Sequence, residues 1–188
     1  MPADLFYFLS SLPTLRWNEK PPLTHAQFLE RCEESLGKKY ALLLGQLELL
    51  PNESARSTVA RQWQDFEYFV RNTLAGLRKA RLRVSNVLIS HHESPHLSPG
   101  DSKRLEEIFA MPTPLERENA LDAFRWSFLE NLAANHYFDQ GSLEIYSLKL
   151  KLLEKLASRE LASGQAAFGS LMEAGLQKAR EARREGEA

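Results

Sequence analysis

Apolar residues recur along much of the chain at intervals of three and four, the spacing of one face of an α-helix. The longest such stretch predicts a helix from about Ser54 to Val84. Its apolar stripe consists of Phe66, Val70, Thr73, Leu77, Ala80 and Val84, with Trp63 beside it. A helix of this length spans roughly 45 Å, which is more than the width of a small domain. We therefore expect part of it to project or to be covered by other helices.

Two helices are predicted before this long one. Thr24 is followed three residues later by Gln27, as in a capping box, and Gly37 is a natural stop. The inward positions of this helix are Phe28, Cys32 and Leu36. A second leucine-rich piece runs from Tyr40 to Leu50 and ends at a proline. The apolar run at residues 5–9 is too short for periodicity to distinguish a helix from a strand.

The strongest helix start is Thr113, because Pro114 follows at the first helical position and Glu116 at the third. This helix runs to about Asn135, and Asp139 can cap the next one. The inward residues of the helix that starts after Thr113 are Leu121, Phe124, Phe128 and Leu132. The helix after Asp139 has two overlapping apolar stripes. One consists of Leu143, Tyr146, Leu150, Leu153 and Ala157, and the other of Ile145, Leu148, Leu152 and Leu156. A helix that is apolar over such a broad arc lies between neighbours, so we expect the second helix to be the central core helix.

Residues 90–101 (SHHESPHLSPGD) interrupt the pattern most clearly and predict a surface loop, after which a short helix starts at Asp101 or Ser102. The end of the chain, residues 176–188, is mostly charged or small and predicts a flexible or frayed helical tail. We interpret residues 1–188 as a single all-helical domain.

The choice of apolar residues strengthens this prediction. The chain contains 32 Leu but only 4 Val and 3 Ile. Strands favour β-branched residues, whereas helices accommodate unbranched leucine well. The predicted fold class is therefore all-α: a bundle of long helices with one extended helical hairpin or arm.

Charge and cysteine content indicate which partners and which cellular compartment to expect. The net charge is −1 at a sequence pI of about 6.5, so no global attraction to nucleic acid or to an anionic membrane is expected. The lone cysteine, Cys32, excludes an intramolecular disulfide. The N-terminus does not resemble a signal peptide, and no window approaches the length of a membrane helix. We expect a cytoplasmic protein without direct membrane insertion.

Sequence motifs of known catalytic chemistry are absent. The sequence contains no Walker-type phosphate loop, no G-x-G-x-x-G, no G-x-S-x-G and no H-E-x-x-H. We therefore predict no cofactor and no enzymatic activity of its own. His136 is interpreted as a turn or cap residue, in preference to an acid–base catalyst. Cys32 is interpreted as a small core residue.

Three histidines, His91, His92 and His96, cluster in the predicted loop beside Glu93. Imidazole groups suit zinc, nickel or copper, so a metal site is one interpretation. A Ser/Pro loop lacks the rigid support that such a site needs, and we favour a solvated loop.

The most informative charged feature is a basic run on the long helix. No acidic residue occurs between Arg71 and Asn86, and the candidate interface residues are Arg71, Arg78, Lys79, Arg81 and Arg83. Cations near a helix C-terminus oppose the negative end of its dipole, but five are more than that effect requires. An acidic protein partner is the preferred interpretation. Nucleic acid is disfavoured because the rest of the chain is not basic.

Several stretches, in order, resemble a bacterial family whose genes typically sit within operons for V/A-type rotary ATPases. They are residues 6–15 (FYFLSSLPTL), 21–24 (PPLT), 28–32 (FLERC), 63–82 with Trp63, Phe66-Glu67, Arg71-Asn72-Thr73-Leu74, Leu77-Arg78 and Arg81-Leu82, 125–130 (RWSFLE), 136–139 (HYFD) and 146–150 (YSLKL). Residues 145–151 (IYSLKLK) also resemble a helix of one ATPase component, the all-helical funnel that joins the central stalk to the membrane rotor ring. We call that component the funnel subunit.

The resemblance implies a non-catalytic, funnel-like connector that binds other V/A-type ATPase subunits, the central stalk and the membrane ring. It would lie at the inner membrane through these partners. The funnel subunit is longer and is built from three helical modules, whereas residues 61–82 and 119–138 share only scattered aromatic positions. The chain is therefore either a reduced relative of the funnel subunit or an unrelated helical subunit of the same complex.

Three alternatives stay open from the sequence. The chain could be a transient assembly factor or regulator of the ATPase, or a metal-binding protein that uses the loop from His91 to His96. A homo-oligomer, in which a second copy completes the apolar stripes, is also compatible with the pattern.

Overall fold

A computed structural model describes residues 3–51, 56–82, 99–159 and 170–172. These residues form helices and contain no strand, which confirms the predicted all-α class. The helices are α1 (Ala3–Ser11), α2 (His25–Leu36), α3 (Lys38–Gly45), α4 (Thr58–Leu82), α5 (Pro99–Ala110), α6 (Pro114–Ala133) and α7 (Gln140–Ala157), with a short helical piece at residues 170–172. The predicted tail at 176–188 and most of the predicted loop, 90–98, lie outside the described residues.

Three helix starts agree with the capping signals in the sequence. Thr24, Thr113 and Asp139 each cap a helix, and each forms a complete capping box with the residue three positions later. The run at residues 5–9 lies in helix α1. Gly37 separates α2 from α3 with a positive φ of 91°, a backbone conformation that glycine adopts without steric cost.

Several predicted boundaries were wrong, and for three of them the structure shows the reason. α3 ends at Gly45 instead of Leu50. The backbone carbonyls of Leu47 and Glu48 accept hydrogen bonds from the side chains of Lys151 and Trp63, and not from backbone N–H groups of a continuing helix. α4 begins at Thr58 rather than Ser54, since the hydroxyl of Ser57 accepts a hydrogen bond from the backbone N–H of Ala60. α5 begins at Pro99, so residues 99–101 belong to a helix and not to the loop; proline suits a first helical turn.

Helix α7 is the central helix of the core, as predicted. Helices α2, α3, α4 and α6 all pack against it. Its buried residues, Leu143, Glu144, Ile145, Ser147, Leu148, Leu150, Leu152 and Leu153, surround most of its circumference. Of the predicted inner positions, Ala157 is exposed at the end of the helix. Because α7 is buried on several sides, its sequence reads as a broad apolar arc and not as a narrow stripe.

Aromatic side chains fill the contact between α4 and α6. The rings of Phe66 and Phe128 stack with centroids 4.1 Å apart, and Trp63 and Phe124 lie beside Phe66. A smaller cluster of Trp126, Leu152 and Leu153 covers the far end of α7 with Trp17 packed on it. Together these contacts fix α4, α6 and α7 as one packed layer.

Helix α4 is buried over its first two-thirds only. Its buried residues are Val59, Ala60, Trp63, Phe66, Glu67, Val70 and Leu74. Beyond Leu74 the predicted stripe fails in part, because Leu77 is half-buried and Ala80 is exposed. Helix α5 packs beside α4.

No helix in the described part of the chain is long and apolar enough to span a membrane.

Candidate partner interface

The last turns of α4 carry an exposed basic surface, formed by Arg71, Arg78, Lys79 and Arg81. The three arginines are exposed and Lys79 is half-buried. Arg71 and Arg78 are seven residues apart, so they share one side of the helix about 10 Å apart along its axis. Arg83, the fifth predicted interface residue, lies outside the described residues.

The members of the basic surface differ in how strongly the fold engages them. Arg71 Nε lies 3.9 Å from Glu67 Oε2, but Glu67 is held at much shorter distance by Arg125. The guanidinium of Arg81 sits over the ring of Phe109, 6.0 Å from its centroid. Within the described residues, the side chains of Arg78 and Lys79 take part in no ion pair or hydrogen bond. Of these two, Arg78 is the more exposed, so it can contact a partner without breaking a contact within the described fold.

A buried ion-pair network is formed by Glu67, Asp122, Arg125, Lys155 and Arg159. Glu67 and Asp122 are fully buried. Arg125 donates from Nε and Nη2 to the two oxygens of Glu67 at 2.5 and 3.1 Å, and from Nη1 to Asp122 at 2.8 Å. Lys155 and Arg159 approach Asp122 from α7 and the residues that follow it, at 2.9 and 2.5 Å. The network thus connects α4, α6 and α7.

The charge state of this network follows from its geometry. Burial by itself lowers the pKa of the Arg125 guanidinium, but the hydrogen bonds and charges of Glu67 and Asp122 outweigh burial and raise that pKa. Arg125 is therefore a permanent cation. The network was not among the features predicted from the sequence. Its only local signal is a carboxylate at an inward position, Glu67 beside Phe66 and Asp122 beside Leu121.

The turn between α6 and α7 contains a histidine, an aspartate and a serine in contact. His136 Nδ1 lies 2.7 Å from Asp139 Oδ2, and the hydroxyl of Ser142 donates to Asp139 Oδ1 at 2.9 Å. Burial would raise the pKa of Asp139, but the bonds from His136 and Ser142 lower it. The serine hydroxyl is bonded to the aspartate and not to the histidine, so this is not the arrangement of a nucleophilic triad. It is a helix cap reinforced by His136.

Burial also shifts the pKa of the Cys32 thiol and of the half-buried His25 imidazole. The Cys32 side chain is fully buried, and burial raises the pKa of its thiol to about 11, which keeps it protonated. Burial, together with the charge of Lys151, lowers the pKa of His25 to about 4. His25 Nε2 lies 2.8 Å from Ser147 Oγ, and its backbone N–H donates to Glu154 at 2.7 Å. Both contacts attach the start of α2 to α7.

The cavities of the described region are open depressions. One, of about 380 Å³, lies between residues 9–15, α6 and α7, where Tyr146 donates to the carbonyl of Pro13 and Lys149 to Glu130. Another, of about 260 Å³, lies between α3 and the start of α4, and its lining combines apolar residues such as Leu42, Leu43 and Trp63 with charged and polar ones. In the described part of the chain, no group of three or more His, Cys, Asp or Glu side chains could hold a metal ion. The histidines from His91 to His96 lie outside it.

No family model, no curated protein and no solved structure matches the chain.

Proposed function

We propose that this chain is a non-catalytic structural subunit of a bacterial V/A-type rotary ATPase, a funnel-like connector between the central stalk and the membrane rotor ring. The sequence resemblance points to this complex. The structural observation that supports a connector role is the basic surface on the last turns of α4, the longest helix of the described chain.

A connector has no need of a nucleotide site. It needs helices held firmly together and polar surfaces for its neighbours. The core around α7 and the buried ion-pair network hold α4 by its first two-thirds. The basic surface then presents several cations within about 15 Å of helix. Such an arrangement suits an acidic surface on a stalk or ring subunit, which would be recruited and oriented by complementary charge.

The proposal is tested by recovering the tagged protein from its native host and measuring subunit stoichiometry by mass spectrometry. We expect catalytic-head, stalk and ring subunits with about one copy of this chain per complex, as for a structural subunit. Charge reversal by Arg78→Glu with Arg81→Glu should reduce this recovery, more so when Arg71→Glu is added. The single variant Arg78→Glu leaves both the Arg71–Glu67 pair and the Arg81–Phe109 contact intact, so it separates binding from stability.

A matched control reverses three exposed cations outside the basic surface: Lys39→Glu, Arg61→Glu and Lys103→Glu. This variant has the same net charge as the triple variant but should assemble normally. Equal losses in both variants would make the effect one of net charge and would contradict the assignment of the surface. Absence of all ATPase subunits from the wild-type sample would overturn the proposal itself, and substoichiometric recovery would replace it with a transient assembly factor.

A further inference from the structure

Four aromatic side chains form an exposed surface where α1 meets the turn between α6 and α7. Phe6 and Tyr7 are 43 and 70% exposed, and Tyr137 and Phe138 are 71 and 39% exposed. The rings of Phe6 and Phe138 lie 4.5 Å apart, and those of Phe6 and Tyr7 meet edge to face at 5.7 Å. Exposed aromatic clusters of this kind are typical of interaction sites rather than of ordinary surface. We call these four residues the aromatic surface.

The turn holds its aromatic residues in a strained conformation. Phe138 has a φ of 53°, in the left-handed region that a bulky side chain rarely adopts. The contact between His136 and Asp139 clamps the backbone on both sides of it. The His136 ring in turn lies against Gly141, where an added Cβ would overlap it. These two contacts thus maintain a backbone conformation that places the Phe138 ring against Phe6.

The two chain segments that carry the aromatic surface are acidic in composition. Residues 3–11 and 134–142 contain Asp4 and Asp139 but no Lys or Arg. Asp4 is exposed and precedes Tyr7 by one helical turn, so their side chains share a face of α1. In these two segments every large apolar side chain that is exposed is aromatic, and none is aliphatic. The aliphatic anchors that would favour an apolar groove on a partner are therefore missing.

We propose that the aromatic surface docks an arginine-bearing segment of a protein partner. A guanidinium stacks on the faces of Tyr and Phe rings and pairs with a nearby carboxylate, and this surface offers both. The interface has the opposite chemistry to the basic surface of α4 and involves different helices. It goes beyond the proposed function, because a connector with two surfaces of opposite character can bind two different partners.

The test is an NMR titration of the ¹⁵N-labelled full chain with a synthetic helical peptide that carries two arginines one turn apart. A second peptide replaces both arginines with citrulline, which is neutral and nearly the same shape. We expect amide shifts at residues 4–8 and 136–139, and an affinity about fivefold lower for the citrulline peptide, the equivalent of one exposed cation–π contact. Tyr7→Ser and Tyr137→Ser should each weaken binding of the arginine peptide to a similar extent.

Leu115→Ser removes an apolar side chain that is 59% exposed elsewhere on the surface and should leave the affinity unchanged. Equal binding of the two peptides would overturn the proposal, as would shifts confined to other acidic surfaces such as Glu33 and Glu34 on α2. Self-association of the wild type that Tyr7→Ser abolishes, without peptide binding, would overturn it too and assign the surface to a second copy of the chain. The peptide comparison does not depend on how any variant folds.

Discussion

Gly141 illustrates how one missing Cβ can determine a local structure. It lies in the first turn of α7, where alanine is normally preferred to glycine. A Cβ at this position would overlap Nδ1 and neighbouring atoms of the His136 ring. The ring cannot simply move away, because Asp139 holds Nδ1. The glycine is therefore required by its neighbour and not by its own backbone.

We predict that Gly141→Ala lowers the free energy of unfolding by about 1–3 kcal/mol, the usual cost of overpacking. Gly76→Ala in the middle of α4 is the matched control, since its added Cβ meets nothing within 4 Å. That substitution should raise stability by about 0.5–1 kcal/mol. Urea titrations measure both. Gly141→Ala in a His136→Ala background should recover most of the loss, and persistence of the full loss there would contradict the steric explanation.

At the scale of elements, the buried ion-pair network determines how α4, α6 and α7 fit together. Apolar packing alone tolerates small shifts between helices, whereas the bidentate contact of Arg125 with Glu67 has one geometry. Burying two carboxylates is costly unless cations satisfy them. The network therefore constrains the relative positions of the helices more than it adds to stability.

We predict that Arg125→Met destabilises the protein by about 3–5 kcal/mol, because it leaves Glu67 buried without its main partner and removes one of the three cations that hold Asp122. Arg71→Met removes a longer, half-exposed contact to the same Glu67 and should cost about 0–1 kcal/mol. Thermal and chemical unfolding of the two variants provides the comparison. Similar losses would mean that Glu67 is not stabilised chiefly by Arg125.

Three helix starts and the end of α3 show what the local sequence can and cannot predict. Thr24, Thr113 and Asp139 were predictable because a cap and its partner are three residues apart. The end of α3 was not, because Leu47 accepts its hydrogen bond from Lys151, more than a hundred residues away. Pairing across such separations leaves no periodic signal in the sequence.

The features of the candidate site also differ in whether the local sequence could predict them. The basic surface was predictable from an uninterrupted run of cations on one helix, and its role in partner binding stays a prediction. The ion-pair network was not predictable, since Glu67 and Arg125 lie 58 positions apart. The aromatic surface also depends on tertiary structure, because Phe6 and Phe138 meet only in the folded chain.

At the scale of the whole molecule, His25 makes stability depend on pH. Its pKa of about 4 in the folded state lies below the ordinary value of 6.5. Between these values the unfolded chain takes up a proton that the folded chain does not. The contribution of His25 is therefore complete above about pH 6.5 and is lost as the pH falls towards 4. The pKa of Asp139 is lowered from an ordinary value of 3.8. Its contribution to stability is therefore lost only at a pH below the range in which His25 acts.

We predict that acidification from pH 7 to pH 5 lowers the unfolding free energy of the wild type by about 1 kcal/mol more than that of His25→Gln, after allowance for solvent screening of a half-buried group. Glutamine keeps a hydrogen-bonding group near Ser147 but does not titrate. Urea titrations at the two pH values give the difference. Parallel losses in both proteins would show that folding does not lower the pKa of His25.

The ion-pair network also has a mechanical consequence. Sliding one helix along another changes apolar contacts gradually, but it must break the forked contact between Arg125 and Glu67 outright. Asp122, held by Arg125 from its own helix and by Lys155 from α7, adds a second tie across the layer. Shear between α4, α6 and α7 is therefore resisted at fixed points. A torque applied to any one of these helices would turn all three as a single stiff body.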